Sequence, residues 1–420
     1  MPPIGTADST APVAAAVPLG RGARLAGSLA RYPNFRRLWL GVIAASLGQW
    51  MQAVALGWLA LTLTNSPGFV GLVGLMAGLP FLVISLPGGV LIDRFDRKRV
   101  MLGCQALAAL LSLIVASVVI AGWIAPWHLL VAAFANGSLQ AILTPAQQAL
   151  VPAMVERRDL TNAVGLMSAG QNMTRVVGPS IAGGAIAVAG VGPALLLQGV
   201  ALAVAFALVI TVAMPARAAS SSAGGRAVFD GIRLIWNRPD LRGLFLLACV
   251  PTFFVFPYIQ FLSVFARDIL DIGAAGLGLL LAASGSGAVV GSLWIATRRR
   301  TTGAGPFIIR LTVLYGVLVL GIALSRTLWV TLPLLVGAGI LGASFMSTNN
   351  ALMQHRITDD VRGRVMGAYL LTFGLMPLGA MPMGLIADRF GASVAVASGA
   401  IVSSLLVAAL GATARDLRRL

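Results

Sequence analysis

Residues 70–91 and 100–121 form two long apolar runs, and between them lies Gly89-Val90-Leu91-Ile92-Asp93-Arg94-Phe95-Asp96-Arg97-Lys98-Arg99. In hydrocarbon a backbone must satisfy its own hydrogen bonds within helices, so a charged connection has to sit in water. The two runs therefore read as antiparallel membrane helices joined by a tight turn at one membrane face. Arg94, Arg97, Lys98 and Arg99 also select that face, because cytoplasmic loops collect Lys and Arg. Gly88 and Gly89 let the helix end pack closely on a neighbour. Asp93, at the edge of the apolar region, is placed to accept hydrogen bonds from a helix N-terminus or an Arg on an adjacent helix. Such a turn is either topogenic only or a latch that breaks and re-forms during a conformational cycle, and the latch is the favoured reading.

Extending this pattern along the chain needs little charge. Of the 420 residues 58% are hydrophobic and 10% charged, against about 25% charged in soluble domains. At roughly 20 apolar residues per span, spans fall at 38–60, 68–92, 100–121, 127–150, 163–188, 193–213, 243–265, 274–296, 307–325, 328–351, 363–387 and 394–412. Basic residues crowd into alternate connections, including Arg36 and Arg37, the opening turn, Arg157 and Arg158, Arg233 to Arg242, Arg298 to Arg300, Arg356 to Arg364, and Arg415 to Arg419. The opposite connections hold Arg267, Arg326 and Arg389. Both termini are therefore expected in the cytoplasm.

The net charge of +17 does not indicate nucleic acid, because the charges fall between apolar runs rather than on a stripe or patch. They suit contact with anionic inner-leaflet lipids. Cys104 and Cys249 each sit alone within a span, so neither a disulfide nor a metal site is expected. Residues 1–30 are rich in Ala, Pro and Gly, lack the order of a signal peptide, and read as a flexible cytoplasmic tail. The excess of Arg over Lys points to a GC-rich bacterial source.

An internal repeat supports the count of twelve. Pro33-Asn34-Phe35-Arg36-Arg37-Leu38-Trp39-Leu40 returns as Pro239-Asp240-Leu241-Arg242-Gly243-Leu244-Phe245-Leu246, and Gln147-Gln148-Ala149-Leu150 as Asn349-Asn350-Ala351-Leu352. Gly137 matches Gly339 and Gly165 matches Gly367 at the same spacing. The expected fold is thus all-α and membrane-embedded, with two parallel-repeat six-helix bundles. The division is a tail at 1–34, a bundle at 35–213, a cytoplasmic linker at 214–241, a bundle at 242–413 and a tail at 414–420. Asp388-Arg389-Phe390 echoes the opening motif on the other face, where only a turn is expected.

The opening motif resembles the conserved loop between helices 2 and 3 of the major facilitator superfamily, with Gly89, Asp93, Arg94, Arg97 and Lys98 matching. Asp96 stands where most members carry glycine. The Asp-Arg-Phe-Asp-Arg-Lys form is similar to the branch of drug:proton antiporters that includes the enterobactin exporter, macrolide efflux proteins and the lysophospholipid transporter. Gly178-Pro179-Ser180-Ile181-Ala182-Gly183-Gly184 resembles the fifth-helix signature of superfamily antiporters, where Gly178 and Pro179 would set a bend. The resemblance implies a polar cavity between the halves, lined by spans 1, 4, 7 and 10.

On those spans, Asn136, Gln140, Thr144 and Gln147 recur at steps of four, four and three and share one helix face. Gln49 and Gln52 flank Trp50, while Tyr258, Asn349 and Asn350 supply further polar groups. Each could equally be a hydrogen bond between helices. Arg175, near the middle of span 5, is the sharpest candidate, since a charge there costs at least about 2.5 kcal/mol. It is expected to face the cavity or meet an acceptor on another span.

No Asp or Glu lies mid-span, so Asp93, Asp268 and Asp271, near span ends, are the candidates for proton coupling. No catalytic cluster, cofactor motif or phosphate-binding Gly-rich loop is present, and an enzyme is not expected. The expected activity is export of a hydrophobic or amphipathic small molecule (a drug, macrolide or siderophore) by a monomeric proton antiporter. A lipid flippase of the same fold, or a receptor that has lost transport, are the alternatives.

Overall fold

Helix ends in this chain are written in its prolines and small polar residues. The computed structural model describes residues 27–84, 96–213, 225–297 and 303–414, so Gly89, Asp93 and Arg94 of the expected latch lie outside the described residues. Pro33, Pro67, Pro126 and Pro239 each open a helix at its first turn, where the missing N–H costs nothing. The chain-order helices are α1 (Pro33–Thr64), α2 (Pro67–Val83), α3 (Arg97–Ile120), α4 (Pro126–Met154), α5 (Leu160–Ala189) and α6 (Val191–Ile210). They continue as α7 (Pro239–Ile269), α8 (Gly273–Thr297), α9 (Ala304–Leu324), α10 (Leu328–His355), α11 (Val361–Phe390) and α12 (Ala392–Thr413). A linker helix, Gly225–Asn237, precedes α7 and packs on the start of α11.

Ten of these helices are long and apolar enough to cross a membrane, two fewer than the twelve expected. The other two are α2, described for 17 residues, and α5, which carries Arg175 among several amides and hydroxyls. Leu107, Leu110 and Ile114 on α3, Leu314 and Val317 on α9, and Ile401 and Leu405 on α12 are exposed, as a surface dissolved in lipid tails requires. Exposed Trp123, Trp127 and Trp329 lie at the end of the bundle bearing the α1–α2 turn, and exposed Trp236 and Trp294 at the end bearing the linker helix. Paired indole belts of this kind mark two membrane–water interfaces.

Helices pair mainly within each half of the chain: α1 with α5 and α6, α2 with α4, α8 with α10, and α9 with α10 and α12. The repeat survives as geometry. A Cβ on Gly137 of α4 would strike the Ala77 carbonyl of α2, and one on Gly339 of α10 would strike the Ser284 carbonyl of α8. The main contacts that cross between halves are α5 with α8 and α2 with α11. The repeat exchanges these two pairs.

Asp96, at the site where glycine is usual, N-caps α3 by accepting from the Arg99 amide at 2.9 Å. Lys98 donates to the Ile210 and Val212 carbonyls at 2.8 and 2.6 Å, so it caps the C-terminus of α6 within its own half. At the same end, the Tyr32 hydroxyl and then Arg31 hold the Asp159 carboxyl below its ordinary range. That contact fastens the start of α1 to the α4–α5 connection.

Gly183 and Gly278 face each other across α5 and α8; a Cβ on Gly183 would approach the Ala274 carbonyl at 2.6 Å. Gly184 faces open space. Gly183→Ala should therefore lower the melting temperature of the detergent-solubilised protein by an overpacking cost of about 1–3 kcal/mol. Gly184→Ala should leave it unchanged or raise it, by up to about 1 kcal/mol from helix propensity. A fall of equal size in both would show that the close contact is unimportant.

Candidate functional site

A cavity of about 730 Å³ lies between the two cross-half contacts. Its wall is mostly apolar, with Val54, Val70, Val73, Leu277, Leu281 and Met376 among the contributors. Such a volume is ordinary for a drug-sized ligand. The polar groups come largely from two helices. On α5, Ser168, Asn172 and Arg175 recur at steps of four and three and so share one face. On α7, Thr252, Tyr258, Gln260 and Ser263 reach the cavity around Phe254, where the regular helix of its first part ends.

Arg175 projects into this space and its guanidinium carbon lies 5.3 Å from the centre of the Trp50 ring, a cation–π distance. The Tyr258 hydroxyl shares a hydrogen bond with Ser284 at 3.4 Å. Tyr315 lines the same wall, its ring 5.4 Å from that of Phe256. Gly178 packs on Trp50 and the Pro179 carbonyl on Gly278, so this pair fixes α5 between α1 and α8.

Other expected cavity residues lie elsewhere. Asn136, Gln140, Thr144 and Gln147 do not line the cavity, because α4 packs on α2 and α3. Gln49 is exposed and Gln52 half-buried, and α1 turns Trp50, Ala53, Val54 and Gly57 inward instead. Asn349 is fully buried and donates to the Leu244 carbonyl and the Tyr369 hydroxyl at 3.3 and 3.2 Å. It ties α10 to α7 and α11. Asn350 borders a second hollow of about 600 Å³ with Gln354, His355 and Arg362. Met346, Ser347 and Phe373 line both hollows, so the cavity continues toward the end that bears the linker helix.

The opposite end is closed. Hydrogen bonds join the halves there, at the α1–α2 turn. Asp388 accepts from the Gly68 amide at 2.7 Å and from the Ser66 hydroxyl at 3.1 Å, placing a carboxylate on the N-terminus of α2. Arg267 donates to the Leu61 carbonyl at 2.8 Å and to Asn65 Oδ1 at 2.6 Å, placing a cation on the C-terminus of α1. Each charge opposes the partial charge of the helix end it meets. Asp388 was expected to be only part of a turn; it is one side of a seal. Arg267 is also paired with Asp268 at 2.5 Å, while Asp271 is exposed with a left-handed φ of 50°.

Family comparison agrees with this architecture. A profile described as transmembrane secretion effector matches residues 27–419. The chain belongs to that family. It is a transporter family of the major facilitator type, not an enzyme family. The chain is also similar to the staphyloferrin A transporter of Staphylococcus aureus, 23% identical over 79% of this chain and 84% of the relative. The multidrug efflux pump Tap of Mycolicibacterium fortuitum is 28% identical over 77% and 82%. Macrolide efflux protein A of Streptococcus pyogenes is 24% identical over 82% and 86%. Among solved structures, the nucleoside transporter NupG superposes with a TM-score of 0.72 at 15% identity, over 90% of this chain and 98% of that one. A bacterial homologue of the human lysosomal transporter Spinster gives 0.70 at 16% identity, over 91% and 95%.

The seal makes a measurable claim about this family member. Asp388→Asn removes the charge on the α2 N-terminus, worth about 1 kcal/mol or roughly fivefold in an opening equilibrium. In a background without Cys104 and Cys249, Val70→Cys at the cavity wall reports opening by its labelling with a membrane-impermeant maleimide added from the α1–α2 side. Labelling should accelerate by about that factor in Asp388→Asn and further with Arg267→Ala. Unchanged rates in both would show that the seal does not hold the cavity shut.

Proposed function

We propose that this protein is a bacterial inner-membrane exporter that moves amphipathic small molecules by alternating access. The observation that carries the reading is a mostly apolar cavity closed at one end by cross-half hydrogen bonds and continuous with a second hollow at the other. The excess of Arg and Lys in connections at the linker end supports a cytoplasmic location for that end. The described state then opens inward, where an exporter loads. In this reading α2 and α5 also span the membrane, which completes twelve spans in two six-helix bundles. Both termini are cytoplasmic, and the protein works as a monomer among anionic inner-leaflet lipids.

The efflux names carried by its relatives support export of drugs, macrolides or siderophores as the range within which the substrate falls. Proton antiport would use the rim carboxylates Asp268 and Asp271 or Asp93 at the opening turn. The cytoplasmic latch of Gly89, Asp93, Arg94, Arg97 and Lys98 is the counterpart of the seal at the other end.

Collapse of a pH gradient in inverted vesicles, on adding representatives of each substrate class, tests the coupling. Proton release should follow one class, and silence across all of them with folded protein would remove the antiport reading. Asp93→Asn should slow transport by about an order of magnitude while leaving insertion and melting temperature intact, as expected for the loss of a charge-assisted bond of about 1.5 kcal/mol. Wild-type rates in that variant would remove the latch.

A further inference from the structure

One charge in the cavity has no counter-charge. Arg175 stacks on Trp50, but among the described residues no carboxylate pairs with it. Between described residues, ion pairs join Arg31 and Arg158 to Asp159, Arg158 to Glu156, Arg238 to Asp240 and Arg267 to Asp268, all near helix ends and away from the cavity. The polar groups that share the cavity with Arg175 (Asn172, Tyr258, Gln260, Ser284 and Tyr315) are neutral amides and hydroxyls. Arg175 makes no hydrogen bond to any described residue, so a fork of five donors meets only a ring face. A guanidinium at bilayer depth is tolerated only with a partner or water, and the rest of the wall offers hydrocarbon.

We infer that the cavity takes an amphiphile bearing a single oxyanion, such as a carboxylate, sulfonate or phosphate monoester. Two oxygens of that group match the planar guanidinium fork. The apolar body of the ligand lies against Val70, Val73, Leu277 and Leu281. A cationic amphiphile would enter a space whose one fixed charge repels it and which offers no described acid in return. The inference rests on the transport reading and adds to it the sign of the substrate's charge.

A matched pair of fluorescent amphiphiles decides it: anilinonaphthalene sulfonate and its uncharged relative phenylnaphthylamine. Each is titrated into the full-length protein in phosphatidylcholine nanodiscs, with empty nanodiscs subtracted. The sulfonate should bind about tenfold tighter or more. Arg175→Gln should erase that preference, and Arg175→Lys should keep part of it. Equal or weaker binding of the sulfonate by the wild-type protein overturns the inference, whatever the variants do. Displacement of the sulfonate by lysophosphatidate assigns a lipid source to the anion, and resistance to displacement assigns a water-soluble one. Flux in inverted vesicles separates the two readings. Export of the uncharged compound alone leaves the transport reading standing and defeats the charge assignment. Preferential binding with no flux of any amphiphile upholds the charge assignment and defeats the transport reading.

Discussion

Close approach of backbone to backbone between α5 and α8, and between α2 and α11, is the contact on which the arrangement of the two halves depends. Lipid tails are as apolar as leucine, so no hydrophobic effect drives one helix onto another in a bilayer. What remains beside the few hydrogen bonds at the α1–α2 turn is dispersion, which needs short distances. Gly183 and Gly278 supply them on one side, and Gly71 and Gly384 on the other, where a Cβ would meet a neighbouring backbone. Such contacts hold the halves together at two strips and leave the space between those strips unfilled. The cavity is a consequence of where the glycines are.

Into that unfilled space the chain places one full charge. Its position on α5 is fixed by Gly178 against Trp50 within the same half and by Pro179 against Gly278 across the halves, so a residue of the cross-half contact also helps aim the guanidinium. The cavity-facing charge and the cross-half contact at Pro179 are thus built on one helix, four residues apart. A ligand bridging Arg175 and the α7–α8 wall touches both halves at once, and differential contact of that kind is what a ligand needs to shift a conformational equilibrium.

Much of this was legible in the sequence and some was not, for identifiable reasons. Apolar runs, basic connections and the repeated Gly137 and Gly339 report local and periodic facts, and these carry directly into helices and their packing. The polar stripe on α4 has the same four-and-three spacing as Ser168, Asn172 and Arg175 on α5. Spacing tells that residues share a face, but only the neighbours decide which face looks into the cavity. Asn349 shows the other ambiguity, since a buried amide serves equally as lining or as a tie between helices, and here it is the tie. The role of Asp388 is not legible locally, because its partners, Ser66 and Gly68, lie more than 300 residues away and no local pattern links them.

The seal at the α1–α2 turn is made of ions at an aqueous surface rather than of packed hydrocarbon. Asp388 is exposed and Arg267 keeps 24% of its side chain exposed. Exposed charges are screened over about 8 Å at physiological ionic strength, while the glycine strips beneath them are indifferent to salt. The two ends of the same closure therefore answer to different solvents. Salt in the water beyond the α1–α2 turn tunes how readily the seal lets go, and lipid composition tunes how tightly the helices below it stay together.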